Sequence, residues 1–142
     1  MTGMARPTKL YGIAALGAAM LASCSAAPAE QARSPKAQQE LAEALAGRVA
    51  GPPQRCIDAY RTTKVHTIDD WTIIYDQGRT IYVQNPKGGC PGLARGDILV
   101  TTQVGPARLC QNDIARTVDP TSRMESGGCV LGPFTPYAKP EG

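Results

Sequence analysis

The chain predicts a mainly β fold, a small antiparallel sheet curled into a barrel or sandwich, with a short N-terminal helix and two disulfides. Three observations carry the prediction. From Arg55 onward the hydrophobic pattern alternates with period two. Gly, Pro, Asn and Asp recur between the alternating runs, at the spacing of short strands joined by turns. Four cysteines, Cys56, Cys90, Cys110 and Cys129, fall within this short stretch, where bridges supplement a core too small to be stable alone.

The first element is not part of that fold. Met1 to Lys9 carries Arg6 and Lys9 and no acid, and Leu10 to Leu21 (LYGIAALGAAML) is uncharged and apolar, the first two regions of an export signal. As a helix that run reaches about 18 Å, against a bilayer core of roughly 30 Å, so it is read as a signal over residues 1–23. The signal ends in Leu21-Ala22-Ser23-Cys24, which resembles the lipobox of bacterial lipoproteins. The resemblance implies cleavage between Ser23 and Cys24 and a diacylglycerol thioether on Cys24, which becomes the N-terminus. It also implies further acylation (palmitate), with several chains giving stable anchorage where one is marginal. Ser25, rather than Asp, after the cysteine implies the outer membrane, facing the periplasm, over retention in the inner membrane.

Residues 24–50 read as a flexible tether containing a short helix. Ser25 to Gln39 has no Val, Ile, Leu or aromatic residue, too little apolar surface to offset its ordering entropy. Ser34-Pro35 is an N-cap followed by the first helical residue, and Gly47 a stop. Between them Ala37, Leu41, Ala44 and Leu45 share one narrow face. Gly51-Pro52-Pro53 then marks the start of the β domain, residues 51–142.

Cys56 to Arg61 is its first expected strand. Trp71, Ile73 and Tyr75 alternate with Thr72, Ile74 and Asp76; Gln77-Gly78 makes a tight turn; Ile81 and Val83 alternate with Thr80, Tyr82 and Gln84. This is the clearest hairpin in the chain. Asp97 to Val104 is the next strand, ended by Gly105-Pro106; Asp113 to Asp119 follows, ended by Pro120; Cys129 to Leu131 is the last.

With Cys24 given to lipid, the other four cysteines form an even set and two bridges are expected. Zinc is disfavoured: gaps of 34, 20 and 19 residues contain no CxxC pair, and the single histidine, His66, lies ten residues past Cys56. No other metal or cofactor motif is present. Four cysteines allow three connectivities, and spacing does not choose among them. The stretches AGRVAGPPQRCI, RTIYVQNP, GDILVTTQ, RLCQNDIARTVD and LGPFTPY resemble, over roughly residues 44 to 137, a family of small exported proteobacterial proteins of uncharacterised function. In that family the positions matching Cys56 and Cys110 are usually cysteine, while those matching Cys90 and Cys129 can both be something else. The resemblance therefore implies Cys56 with Cys110 and Cys90 with Cys129.

The formal charge of +3 falls to +1 once residues 1–23, with Arg6 and Lys9, are removed. Nucleic-acid binding is disfavoured, because it needs a clustered basic face. An enzyme reading, a hydrolase or transferase, rests on His66 with Asp69 or Asp70, but no Gly-x-Ser-x-Gly or comparable signature accompanies them. Asp69-Asp70 more simply opens the turn before Trp71, and Asp113 ties a strand edge. Arg116 is expected to pair with Asp113 or Asp119. Trp71, Tyr75 and Tyr82 offer either an aromatic surface for a glycan or peptide, or the core face of the hairpin. The expectation is a lipid-anchored envelope protein that acts by binding or structural support, without catalysis. Its partners would be the membrane, through Cys24, and an envelope protein or glycan. A role as inhibitor or assembly partner would show as an exposed apolar patch.

Overall fold

The computed structural model describes residues 33–102 and 107–141. The signal over 1–23, Cys24 and the first part of the tether lie outside the described residues. In chain order the elements are α1 (Pro35–Leu45), β1 (Val49–Ala50), β2 (Cys56–Asp58), β3 (Lys64–Asp69), β4 (Thr72–Gln77), β5 (Thr80–Gln84), β6 (Ile98–Thr101), β7 (Arg108–Cys110), β8 (Ile114–Val118), β9 (Glu125–Val130) and β10 (Phe134–Ala138), with single 3₁₀ turns at Ala59–Arg61 and Leu93–Arg95. The unit is mainly β, with one α-helix among the described residues.

The strands form three antiparallel sheets: β1-β10-β5-β4-β3, β2-β7 and β6-β8-β9. They do not close into a barrel. The five-stranded sheet is built around the hairpin legible in the sequence: Gln77 faces Thr80 across a two-residue loop whose first residue, Gly78, has φ +82°, the left-handed conformation such loops demand. Beyond it Tyr75 faces Tyr82, and Ile73 faces Gln84.

Alternation along these strands divides the side chains between two cores. Ile73, Tyr75 and Phe134 lie with Ile57, Leu93, Leu109, Ala115, Leu131, Cys90 and Cys129, between the large sheet and the residues of the smaller ones. Ile68, Ile74, Ile81 and Val83 point the other way, against Ala37, Leu41, Ala44 and Leu45 of α1. The large sheet is therefore covered on both faces, which explains why both alternate positions of Thr72–Tyr75 are buried. Phe134 is fully buried and meets the Tyr75 ring edge-on, centroids 5.6 Å apart at 67°, a preferred aromatic geometry worth about 1 kcal/mol beyond the area it buries.

The helix starts and stops where the sequence indicates. The Ser34 hydroxyl accepts the Ala37 amide at 3.2 Å, Pro35 is the first helical residue, and Gly47, at φ +68°, follows the cap. Its apolar face is docked, however, and β1 pairs with β10, so among the described residues α1 and β1 belong to the compact unit, ahead of Gly51. Arg33, within the segment expected to be spacer, donates from Nε to Asp69 Oδ2 at 3.0 Å and from Nη2 to Thr72 Oγ1 at 2.7 Å. The helix needs little apolar surface of its own, because the sheet supplies the other half of the contact.

Several strand boundaries differ from those the sequence predicts. Cys56 to Arg61 extends only to Asp58 before a 3₁₀ turn, capped by Asp58 accepting the Tyr60 amide. Arg108–Cys110 and Phe134–Ala138 are strands that the alternation does not announce. The second contains Pro136, a residue that argues against a central strand. It is tolerated because the Pro136 carbonyl accepts the Gly51 amide at 2.8 Å; the absent N–H thus faces the side of β1, which is only two residues long. β9 begins four residues earlier than expected and includes Gly127 and Gly128. A Cβ placed on Gly127 would lie 3.1 Å from the Thr117 hydroxyl oxygen, so the glycine reflects close approach of β9 to β8 and Pro91.

Candidate functional site

The large sheet separates the groups that lie close together in the sequence. On β3, His66 and Ile68 face α1, as strand alternation requires. His66 Nε2 lies 3.9 Å from Glu40 Oε2 on the helix. The carboxylates of Asp69 and Asp70 are engaged elsewhere. Asp69 receives Arg33 on Oδ2 and the Trp71 amide on Oδ1 at 2.9 Å, while Asp70 Oδ1 accepts the Ala94 amide at 2.7 Å. Each does turn and loop work, and the acid that meets His66 is Glu40.

The three aromatics do not form one surface. Tyr75 is buried in the core, Tyr82 packs partly buried against the same cluster, and Trp71 sits in the β3–β4 turn beside Gly89. Arg116 pairs with Glu125 across β8 and β9 at 3.4 Å, not with Asp113 or Asp119. Those two acids serve backbone: Asp113 Oδ2 accepts the Cys110 amide at 2.7 Å, and Asp119 Oδ1 accepts the Ser122 and Thr121 amides at 2.7 and 2.9 Å. Together with the Ser122 hydroxyl, these donors hold the Asp119 carboxyl below the usual carboxylate range. Ile98, Val100 and Ile114, on strands β6 and β8, are exposed.

The cysteines form two bonds, Cys56–Cys110 and Cys90–Cys129, with Cα separations of 4.0 and 4.9 Å. The first joins directly opposed residues of β2 and β7 and is half-buried; the second lies inside the main core. Spanning 54 and 39 residues, each contributes about 4 kcal/mol in the chain-entropy account.

The other face of β3 lines a cavity of about 410 Å³, within the range of small-molecule sites. Val65 and Thr67 of β3 and Tyr75 of β4 contribute from the large sheet, Leu99 and Thr101 from β6, and Leu109 from β7; Ala59, Thr62, Asp97 and Ile98 complete it. His66 is on the opposite side of its own strand. The lining residues thus combine aliphatic ones with three threonines, one tyrosine and one aspartate, and include no Lys, Arg or His among the described residues.

Two of these polar groups are unusual. Asp97 is only 7% exposed. It is held by a turn: its amide donates to the Gly92 carbonyl at 3.1 Å and the Gly96 amide to the Leu93 carbonyl at 3.0 Å, with Gly92 and Gly96 at φ +99° and +97°. Its Oδ2 accepts the Ser126 hydroxyl and lies 3.4 Å from Arg95 Nη2. The Tyr75 hydroxyl is buried without a hydrogen-bond partner among the described residues, and desolvation pushes its pKa well above the ordinary tyrosine value. Buried polar groups are nearly always partnered; among the described residues the Tyr75 hydroxyl and the Gln84 amide are exceptions.

From the sequence, Asp97 is only the start of a strand and Tyr75 only a hairpin residue. The available signal is local: two glycines flanking Leu93-Ala94-Arg95 just before an acid and an apolar run. The comparisons with known proteins add no relative, since no family model, curated protein or solved structure matches the chain.

Proposed function

We propose that this chain is an exported lipoprotein, held in the cell envelope by acyl chains on Cys24, whose β unit acts as a binding module. The observation that carries the reading is the pair of disulfides. Such bonds persist in oxidising compartments and are rare in the cytosol, which agrees with an export signal ending in a lipobox-like Leu21-Ala22-Ser23-Cys24. The outer membrane, periplasmic side, is the proposed location, on the strength of Ser25. In this reading the layered sheets form an open sandwich, and the cavity between them is the binding site. A lipid tether suits such a module, because it keeps the site near the membrane without committing the fold to it.

Cys24→Ser tests the anchor. The variant is expected to leave the membrane fraction, to lose incorporation of labelled palmitate and to keep its signal. Membrane fractionation and labelling equal to the unaltered chain would refute the assignment.

A further inference from the structure

We infer that the end of the five-stranded sheet carrying Arg48, Lys139 and Arg79 seats on an anionic phospholipid surface, as a second contact with the membrane beside the acyl anchor. This deepens the reading of the chain as a lipoprotein and rests on it.

The placement follows from two strand registers. Val49 faces Ala138 across β1 and β10, and Ala138 faces Thr80 across β10 and β5. One step further in both registers stand Arg48, Lys139 and Arg79, a transverse row of three basic residues at three neighbouring strand ends. Two hydrogen bonds tie the row together: the Lys139 amide donates to the Arg79 carbonyl at 3.1 Å, and Arg48 Nη1 donates to the same carbonyl at 2.7 Å. Arg79 and Lys139 are exposed, and Arg48 is half-buried.

The charge of the partner follows from what surrounds the row. The Arg48 guanidinium donates to the carbonyls of Gly78, Arg79 and Tyr137, neutral acceptors that fix the group and leave its charge uncancelled. None of the three residues is in an ion pair among the described residues. The acid nearest in register, Asp76, stands opposite Ile81, faces Lys64 on β3, and accepts the Gly78 amide on Oδ1 at 2.7 Å. Like charges opposed on neighbouring strands repel, and a layer of phosphate groups relieves that repulsion.

The breadth of the partner follows from strand spacing. Strands about 4.8 Å apart make the row about 10 Å wide, broader than one phosphate and suited to a surface carrying many. The anchor supplies such a surface. Arg33 stands nine residues after Cys24, a stretch that reaches at most about 30 Å, whereas the 11 residues of α1 that lead toward Arg48 rise about 16 Å. The row is therefore within reach of the membrane that holds Cys24. Beside an anionic leaflet each such cation strengthens association about fivefold.

The test uses the protein as cells process it, extracted and added to vesicles of phosphatidylcholine alone or of equal parts phosphatidylcholine and phosphatidylglycerol. Amine acylation followed by peptide mass mapping reads the labelling rate of Lys139, with Lys87, beyond the other end of β5, as the internal reference. On phosphatidylglycerol vesicles Lys139 is expected to be labelled about tenfold more slowly than on phosphatidylcholine, with Lys87 unchanged, and about 1 M salt should abolish the difference. Arg79→Gln, at an exposed turn position, is expected to stay folded and to return the Lys139 rate about fivefold toward its phosphatidylcholine value. The inference is overturned if Lys139 is labelled equally on both vesicles, if Lys87 is protected to the same extent, if inorganic phosphate without vesicles protects Lys139 as well, or if folded Arg79→Gln leaves the rate unchanged. Sedimentation with pure phosphatidylcholine vesicles reads the anchor by itself, so loss of anchoring and loss of the docking contact are separate results.

Discussion

Replacing Tyr75 by Phe deletes one oxygen from the core, and its surroundings set what that oxygen costs. The Tyr75 residue is 1% exposed and its ring packs edge-on against Phe134, a contact the variant keeps. The hydroxyl has no partner among the described residues. A buried unsatisfied hydroxyl carries a desolvation penalty of about 1 to 3 kcal/mol, so Tyr75→Phe should stabilise the protein by about 1 kcal/mol, raising Tm by about 4 °C. A pH dependence accompanies this gain. The unfolded chain loses the phenol proton near the ordinary tyrosine pKa of about 10, while burial makes the folded state hold it. Above that pH the folded state binds more protons than the unfolded one. The contribution is therefore complete below about pH 10 and is lost at about 1.4 kcal/mol per further unit, until the folded-state pKa is reached. Urea unfolding at pH 8 and pH 11, with both disulfides intact, measures each part. The advantage of the variant should grow from about 1 to about 2.4 kcal/mol. Destabilisation at pH 8 would show that the hydroxyl is bonded in the native protein, and equal pH slopes would show that it is not buried.

Three further outcomes follow from particular contacts. A methyl at Gly92 would overlap the Asp97 carboxylate, whereas one at Gly96 meets nothing, although both have left-handed φ; Gly96→Ala should cost about 1 kcal/mol from backbone strain alone, and Gly92→Ala at least about 1 kcal/mol more, measured by chemical denaturation. Equal costs would mean that the turn yields and that Asp97 is not held by it. Under graded thiol reductant in native buffer, the half-buried Cys56–Cys110 should open first and the core bond Cys90–Cys129 only with unfolding, as read by alkylation and peptide mass mapping; the opposite order would contradict the packing. Phe134→Ala, at the centre of the main core, should cost about 3 to 5 kcal/mol, and a loss under about 1 kcal/mol would place the core elsewhere.

What the sequence determined by itself was governed by neighbours along the chain. The Ser34-Pro35 cap, the Gly47 stop and the Gln77–Thr80 hairpin depend on spacing of a few residues, and they stand where the pattern puts them. The mainly β character follows from period-two alternation for the same reason. Tertiary structure decided what alternation leaves open, namely what covers each face. It docked the apolar stripe of α1 on Ile74 and Ile81, set His66 opposite Glu40 and away from Asp69 and Asp70, and admitted Pro136 to a strand beside a two-residue edge. The cavity is the clearest case. Val65, Thr67, Tyr75, Asp97 and Thr101 come from separate strands and a turn, and none has a pattern that points to the others. Their meeting depends on how two sheets pack, a long-range balance of burial and closure that no local spacing encodes.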